Sequence, residues 1–176
     1  MDEQVILVDR DDRQIGVEEK LKAHREGKLH RAFSIFVFNK KREMLLQKRA
    51  AHKYHSGGLW TNACCSHPRP GEPIALAAAR RLQEEMGFDC ALKKAFHFHY
   101  EARLDHQLVE NEFDHVFVGQ YDGPVRPNPD EVMEYRWLSI QKIKEELQHS
   151  PENYTVWFRL ALMRTLSFVT PHENTR

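Results

Sequence analysis

The chain lacks the features that mark secreted and membrane proteins. It has three cysteines in 176 residues, an odd number, and Cys64 and Cys65 are adjacent. A disulfide framework is therefore not expected. No apolar run approaches the ~18 residues that cross a bilayer. The N-terminal MDEQVILVD is short and acidic, which reads as neither span nor secretory signal, so a cytoplasmic location is expected. Charge of one sign is missing too: 26 Lys and Arg balance 26 Asp and Glu. Without a net field, neither nucleic acid nor membrane is an expected partner, and any anion must be held by a local cluster. Repeats and low-complexity segments are absent. What is present is ordinary for a globular protein, with 41% hydrophobic and 30% charged residues. The length suits one domain, 1–176, with a real core.

Strand and helix signals mix without regular alternation, which predicts an α+β fold with a mixed sheet covered by helices. QVILVD (4–9) reads as a strand and DDRQIG as a turn closed by Gly16. A short helix over 18–26 ends at Gly27 and carries Lys20 and His24 on one side. HRAFSIFVFN (30–39) is nearly all apolar or small and predicts a strand buried on both faces, with MLLQKR (44–49) pairing back to it. RAAHKYHSGGLW (49–60) is a basic, Gly-rich loop supplying Arg49 and Lys53. Pro73 sets a helix start near the first helical position, and Gly87 its stop. Strands follow at 94–103, 108–121 and 132–138. Ser139 caps a helix to 148, Ser150 and Pro151 open a last helix to about 168, and the polar tail 170–176 is expected to fray.

The chemistry concentrates around Gly57 to Phe88. Cys65 precedes His67 by two residues, so in extended chain the two share a side while Cys64 faces away. On the following helix, at 100° per residue, Ile74, Ala78, Arg81 and Glu85 share one stripe. Glu85 thus points to the core with Arg81 one turn back, and either an Arg–Glu pair or a metal would offset its burial. Glu110 and Glu112 lie on one strand face, about 6.6 Å apart, and two carboxylates that close need a cation or protons between them. Tyr100 shares a face with Phe96 and Phe98, so its hydroxyl needs a buried partner, which Glu110 or Glu112 could supply. His24, His30 and His67 with Glu110 and Glu112 would make an N3O2 set for manganese, magnesium or zinc. Each of these residues alone also has an ordinary structural reading as surface, cap or solvated strand face.

The run Ser66, Glu72, then Arg80–Arg81–Leu82–Gln83–Glu84–Glu85–Met86–Gly87–Phe88 resembles a Nudix box, with Ser66 for the usual glycine and Arg81 for one glutamate. TNACCSHP, the Arg81–Glu85 helix, Tyr100 and VENE together resemble the type 1 isopentenyl diphosphate isomerase family, from about Lys20 to Trp157. The resemblance implies a Nudix-like mixed β-sheet core flanked by helices, and interconversion of isopentenyl and dimethylallyl diphosphate. It implies a divalent metal on His24, His30, His67, Glu110 and Glu112, and a magnesium bridging Glu85 to the diphosphate. Lys20, Arg49, Lys53, Ser66 and Arg81 match positions around the diphosphate. Cys65 and Glu112 would be the catalytic pair, Tyr100 would assist, and Trp157 would line the pocket. The expected partner is a small diphosphate, with the protein a monomer or weak homodimer. The rival readings are a Nudix hydrolase of a nucleoside diphosphate derivative, which could dispense with Cys65, and a metal-binding module without turnover.

Overall fold

The computed structural model describes residues 3–170. Nine strands and four α-helices follow in the order β1 (Gln4–Val8), β2 (Gln14–Glu19), α1 (Lys20–Glu26), β3 (His30–Phe38), β4 (Glu43–Arg49), β5 (Trp60–Thr61), β6 (Cys64–Ser66), α2 (Ile74–Met86), β7 (Leu92–Arg103), β8 (Val109–Gln120), β9 (Val132–Ser139), α3 (Ile140–His149) and α4 (Val156–Val169). The α+β class and the mixed sheet expected from the sequence are both observed.

β3 is the hub. It runs parallel to β8 over its whole length, and meets β6 antiparallel and β1 and β4 at its two ends. β7 extends the sheet antiparallel to β8, and β9 pairs with β4. Because strand side chains alternate, β3 feeds two cores. Phe33, Ile35 and Val37 pack with Leu82 and Met86 of α2, whereas Phe36 packs with Ile143 of α3 and with Phe158 and Leu162 of α4. Full burial of each such side chain contributes roughly 1.5–3 kcal/mol. The result is helix, sheet, helix in layers.

Several boundaries differ from the sequence reading, each for a local reason. The turn suggested through Gly16 ends sooner, and Gly16 lies in β2 opposite Leu7. Asp9 Oδ1 accepts from the amides of Asp11 and Arg13, which closes the turn within five residues and leaves the polar run 14–19 to pair with β1. Pro73 caps α2 rather than opening it. The last helix starts later than Ser150–Pro151 suggests. Pro151–Asn153 form a single 3₁₀ turn, and Thr155 is tied to the sheet by its amide to Trp60 O at 3.0 Å and its hydroxyl to Thr61 at 2.9 Å. Gly87 does end α2, at φ 73°, and a Cβ there would lie 2.1 Å from Arg126 O, so no other residue fits. The tail beyond Thr170 lies outside the described residues.

Candidate active site

Glu112 stands in the middle of a row that crosses three strands. The register places it beside His30 on β3 and Tyr100 on β7. His67 arrives just after β6, with Nε2 3.0 Å from Glu112 Oε1, and His30 Nε2 lies 3.5 Å from the same oxygen. His24 comes from α1. The donor atoms of His24, His30, His67 and Glu112 all lie within 4.8 Å of one another. A second group of the same tightness joins His24 and Glu110 to His55. His55 lies in the loop between β4 and β5, where the sequence reading singles out only Arg49 and Lys53. Its one signal is the phrase HKYHSGG, two histidines against a glycine pair.

The donor set fits a metal ion on evidence beyond proximity. His24 Nδ1 lies 2.7 Å from Lys20 O and His30 Nδ1 2.8 Å from Lys28 O. A carbonyl only accepts, so both Nδ1 atoms carry the proton and both Nε2 atoms keep a lone pair for the centre. His30 Nε2 is buried with no hydrogen-bond partner, the condition a bound cation relieves. Burial holds His24 down to about 3 and His55 to about 2, so both rings are neutral ligands at physiological pH.

Tyr100 meets both acids, its hydroxyl 2.6 Å from Glu112 Oε2 and 2.9 Å from Glu110 Oε2. One hydroxyl carries one proton, so the second contact needs another. Burial, with the neighbouring Glu112 charge, raises Glu110 well above the carboxylate range, which places that proton on Glu110. Burial works the same way on Glu112, but the neighbouring His30 and His67 imidazoles outweigh it and hold Glu112 well below the carboxylate range. Asp114, next along the strand face, is buried and bonded to Ser34 Oγ at 2.7 Å, and burial raises it too.

Cys65 and Cys64 part as alternation requires. Cys64 packs under α2, whereas Cys65 lies against the α4 side, opposite Ser34. Cys65 Sγ accepts from Trp157 Nε1 at 2.8 Å and lies 3.1 Å from Asn62 Oδ1. Burial pushes this thiol well up, so it keeps its proton here. Glu85 is 4% exposed. Its carboxylate takes Arg81 Nη2 at 2.5 Å and Gln47 Nε2 at 2.9 Å. Arg81 and Lys53 converge on Glu131, which the sequence reading does not single out.

These groups meet at one small cavity of about 40 Å³, open to solvent on one side. Its wall includes Cys65, Ser66, His67, Glu85, Glu110, Glu112 and Trp157, together with Lys20, Arg49, Lys53 and Arg81. His24, His30 and Tyr100 support that wall from behind. Ser66 needs no left-handed backbone, since it lies in β6 paired with Phe33. The serine in place of the box glycine is therefore accommodated without strain.

The NUDIX domain model matches residues 28–158. Isopentenyl-diphosphate Delta-isomerase 1 of Aromatoleum aromaticum is 53% identical over 95% of this chain and 94% of its own. Isopentenyl-diphosphate Delta-isomerase 2 of Photorhabdus laumondii is 55% identical over 90% of both. The chain belongs to the isopentenyl-diphosphate Delta-isomerase family of NUDIX proteins. Among solved structures, a Deinococcus radiodurans protein superposes with TM-score 0.73 at 18% identity, covering 93% of this chain and 98% of that one. The MutT protein of Methanosarcina mazei gives 0.66 at 23% identity, over 79% and 94%. At that distance the likeness concerns the NUDIX fold alone. Within the isomerase family, the departures of this chain from a full Nudix box acquire a structural account. Arg81, standing where the box has a glutamate, neutralises Glu85, and Glu72 is bound by Arg80 at 2.7 Å. All three box acids that remain, Glu72, Glu84 and Glu85, are thus partnered by arginine.

Proposed function

We propose that this protein interconverts isopentenyl and dimethylallyl diphosphate by adding a proton at one end of the allylic unit and removing one at the other. The observation that carries the reading is a thiol and an ionised carboxylate, Cys65 and Glu112, lining one cavity from different strands. Protonating an unactivated alkene makes a tertiary carbocation, which demands a positioned acid and a sheltered site. Glu112 with Tyr100 serves the terminal carbon, and Cys65 serves the carbon next to the one bearing the diphosphate. Dimethylallyl diphosphate is consumed from the form with the proton on sulfur, and isopentenyl diphosphate from the form with the proton on Glu112. Each turnover moves one proton from one group to the other through the substrate, so a proton must return before the next. Trp157 lends its indole N–H to the sulfur and a π-face to the cavity, where cation contact is worth roughly 0.5–2 kcal/mol.

Lys20, Arg49, Lys53, Ser66 and Arg81 bind the diphosphate, and Glu85 would hold a magnesium that would share the diphosphate's negative charge. The His/Glu centre holds manganese, magnesium or zinc and supplies the charge that fixes and tunes Glu112. We assign one domain over 1–176, acting in the cytoplasm as a monomer or weak homodimer. Purified protein with magnesium and isopentenyl diphosphate in heavy water, followed by NMR, should form dimethylallyl diphosphate carrying deuterium. Release of inorganic phosphate without allylic exchange would favour the hydrolase reading instead.

A further inference from the structure

We infer that His55 is an additional protein donor to the ion of the His/Glu centre, giving four imidazoles and two carboxylates in all; the inference rests on the metal reading of that centre. Three imidazoles and two carboxylates, each binding through one oxygen, leave a six-coordinate ion one donor short. His55 is 3% exposed, its ring stacks on His24 with centroids 5.6 Å apart, and its Nε2 lies 3.3 Å from Glu110 Oε1. Two donors at right angles on an ion with bonds of ~2.1–2.3 Å lie about 3.0–3.3 Å apart. That is the spacing of His67 Nε2 from Glu112 (3.0 Å) and of His55 Nε2 from Glu110 (3.3 Å).

The ring is also aimed. Nδ1 lies 3.3 Å from Ser56 Oγ, and with the ring proton on Nδ1 the lone pair of Nε2 faces the centre. The backbone around it is fixed. Arg49 Nη2 donates to His55 O at 3.1 Å, and the Ser56 amide donates to Asp105 at 3.1 Å. At Gly57 a Cβ would lie 2.5 Å from Ala51 O, so the loop closes there only with glycine. A loop held at both sides of one histidine delivers that imidazole at little cost in ordering.

The competing account is that His55 only pairs with Glu110. Pulsed EPR of the Mn²⁺-loaded wild type decides between them without any variant: four coupled histidine nitrogens are expected, and three would overturn the inference. The His55→Gln protein should show three and bind Mn²⁺ about ten- to a hundredfold more weakly, with His67→Ala as the reference for losing a ligand. Unchanged Mn²⁺ affinity in His55→Gln would also overturn it. A wild type that takes up no Mn²⁺ would remove the metal reading and this inference together, whereas the other two failures leave the metal reading standing.

Discussion

Glu85 and Glu112 are both buried carboxylates on the wall of one cavity, and the fold treats them differently. Glu85 is met by the guanidinium of Arg81 at 2.5 Å, a permanent cation. Glu112 is met by the imidazoles of His67 at 3.0 Å and His30 at 3.5 Å and by the hydroxyl of Tyr100. A guanidinium cannot give up its proton, so Arg81 balances the charge at Glu85 whatever the pH. Imidazoles that turn a lone pair toward the acid carry no fixed charge. They leave a carboxylate with lone pairs around it, which is a place for a metal ion and a position from which a proton can move. The teaching of the pair is that a partner of fixed charge keeps a buried acid out of proton transfer, whereas partners without one leave it available.

The largest effect should come from a group that belongs to neither set. Cys65→Ala ought to lower turnover about 10²- to 10⁴-fold, the range for losing a positioned proton-transfer group, with metal content unchanged. Full turnover in that protein would remove the thiol from the mechanism. Next, Arg81→Met leaves Glu85 buried without its cation, and urea unfolding should show a loss of about 3–5 kcal/mol while Mn²⁺ affinity at the histidines stays as it was. Equal stability would show that Glu85 does not depend on a fixed charge, and the contrast with Glu112 would fail. The smallest effect concerns a buried histidine far from both. Burial, reinforced by Lys94 and opposed by Asp12, holds His115 down to about 4. Its folded value lies below the ordinary 6.5, so its contribution is intact above 6.5 and is lost as acid protonates the unfolded chain first. The stability gap between wild type and His115→Asn should therefore narrow below pH 6.5, by about 1 kcal/mol at pH 5.5. A gap independent of pH would refute the assignment of a neutral, buried ring.

Much of this was legible in the chain because it follows from local periodicity. Alternation separates Cys64 from Cys65, and the structure places them on opposite sides of the sheet, Cys64 buried and Cys65 partly so. The helical stripe turns Glu85 inward, and the structure finds it 4% exposed beside Arg81. Tyr100 needed a buried partner and has two. The misses are non-local. β2 is polar and reads as turn, because its stability comes from pairing with β1 rather than from its own pattern. The start of α4 is set by Thr61 and Trp60, nearly a hundred residues earlier. His55 and Glu131 carry no periodic signal at all.

By itself the sequence determined which residue types were available and which way each pointed within its own strand or helix, because those depend only on backbone geometry repeated every two or 3.6 residues. It also determined the absence of net charge, so that any anion must be gathered locally. Only the tertiary structure decided which of eleven histidines meet. His24, His30, His55 and His67 come from a helix, a strand and two loops; the parallel pairing of β3 with β8 sets His30 beside Glu112, and the others gather in two groups that share His24, one with Glu112 and one with Glu110. That meeting depends on register between distant segments, which is set by the packing of both cores at once and by no single stretch of chain.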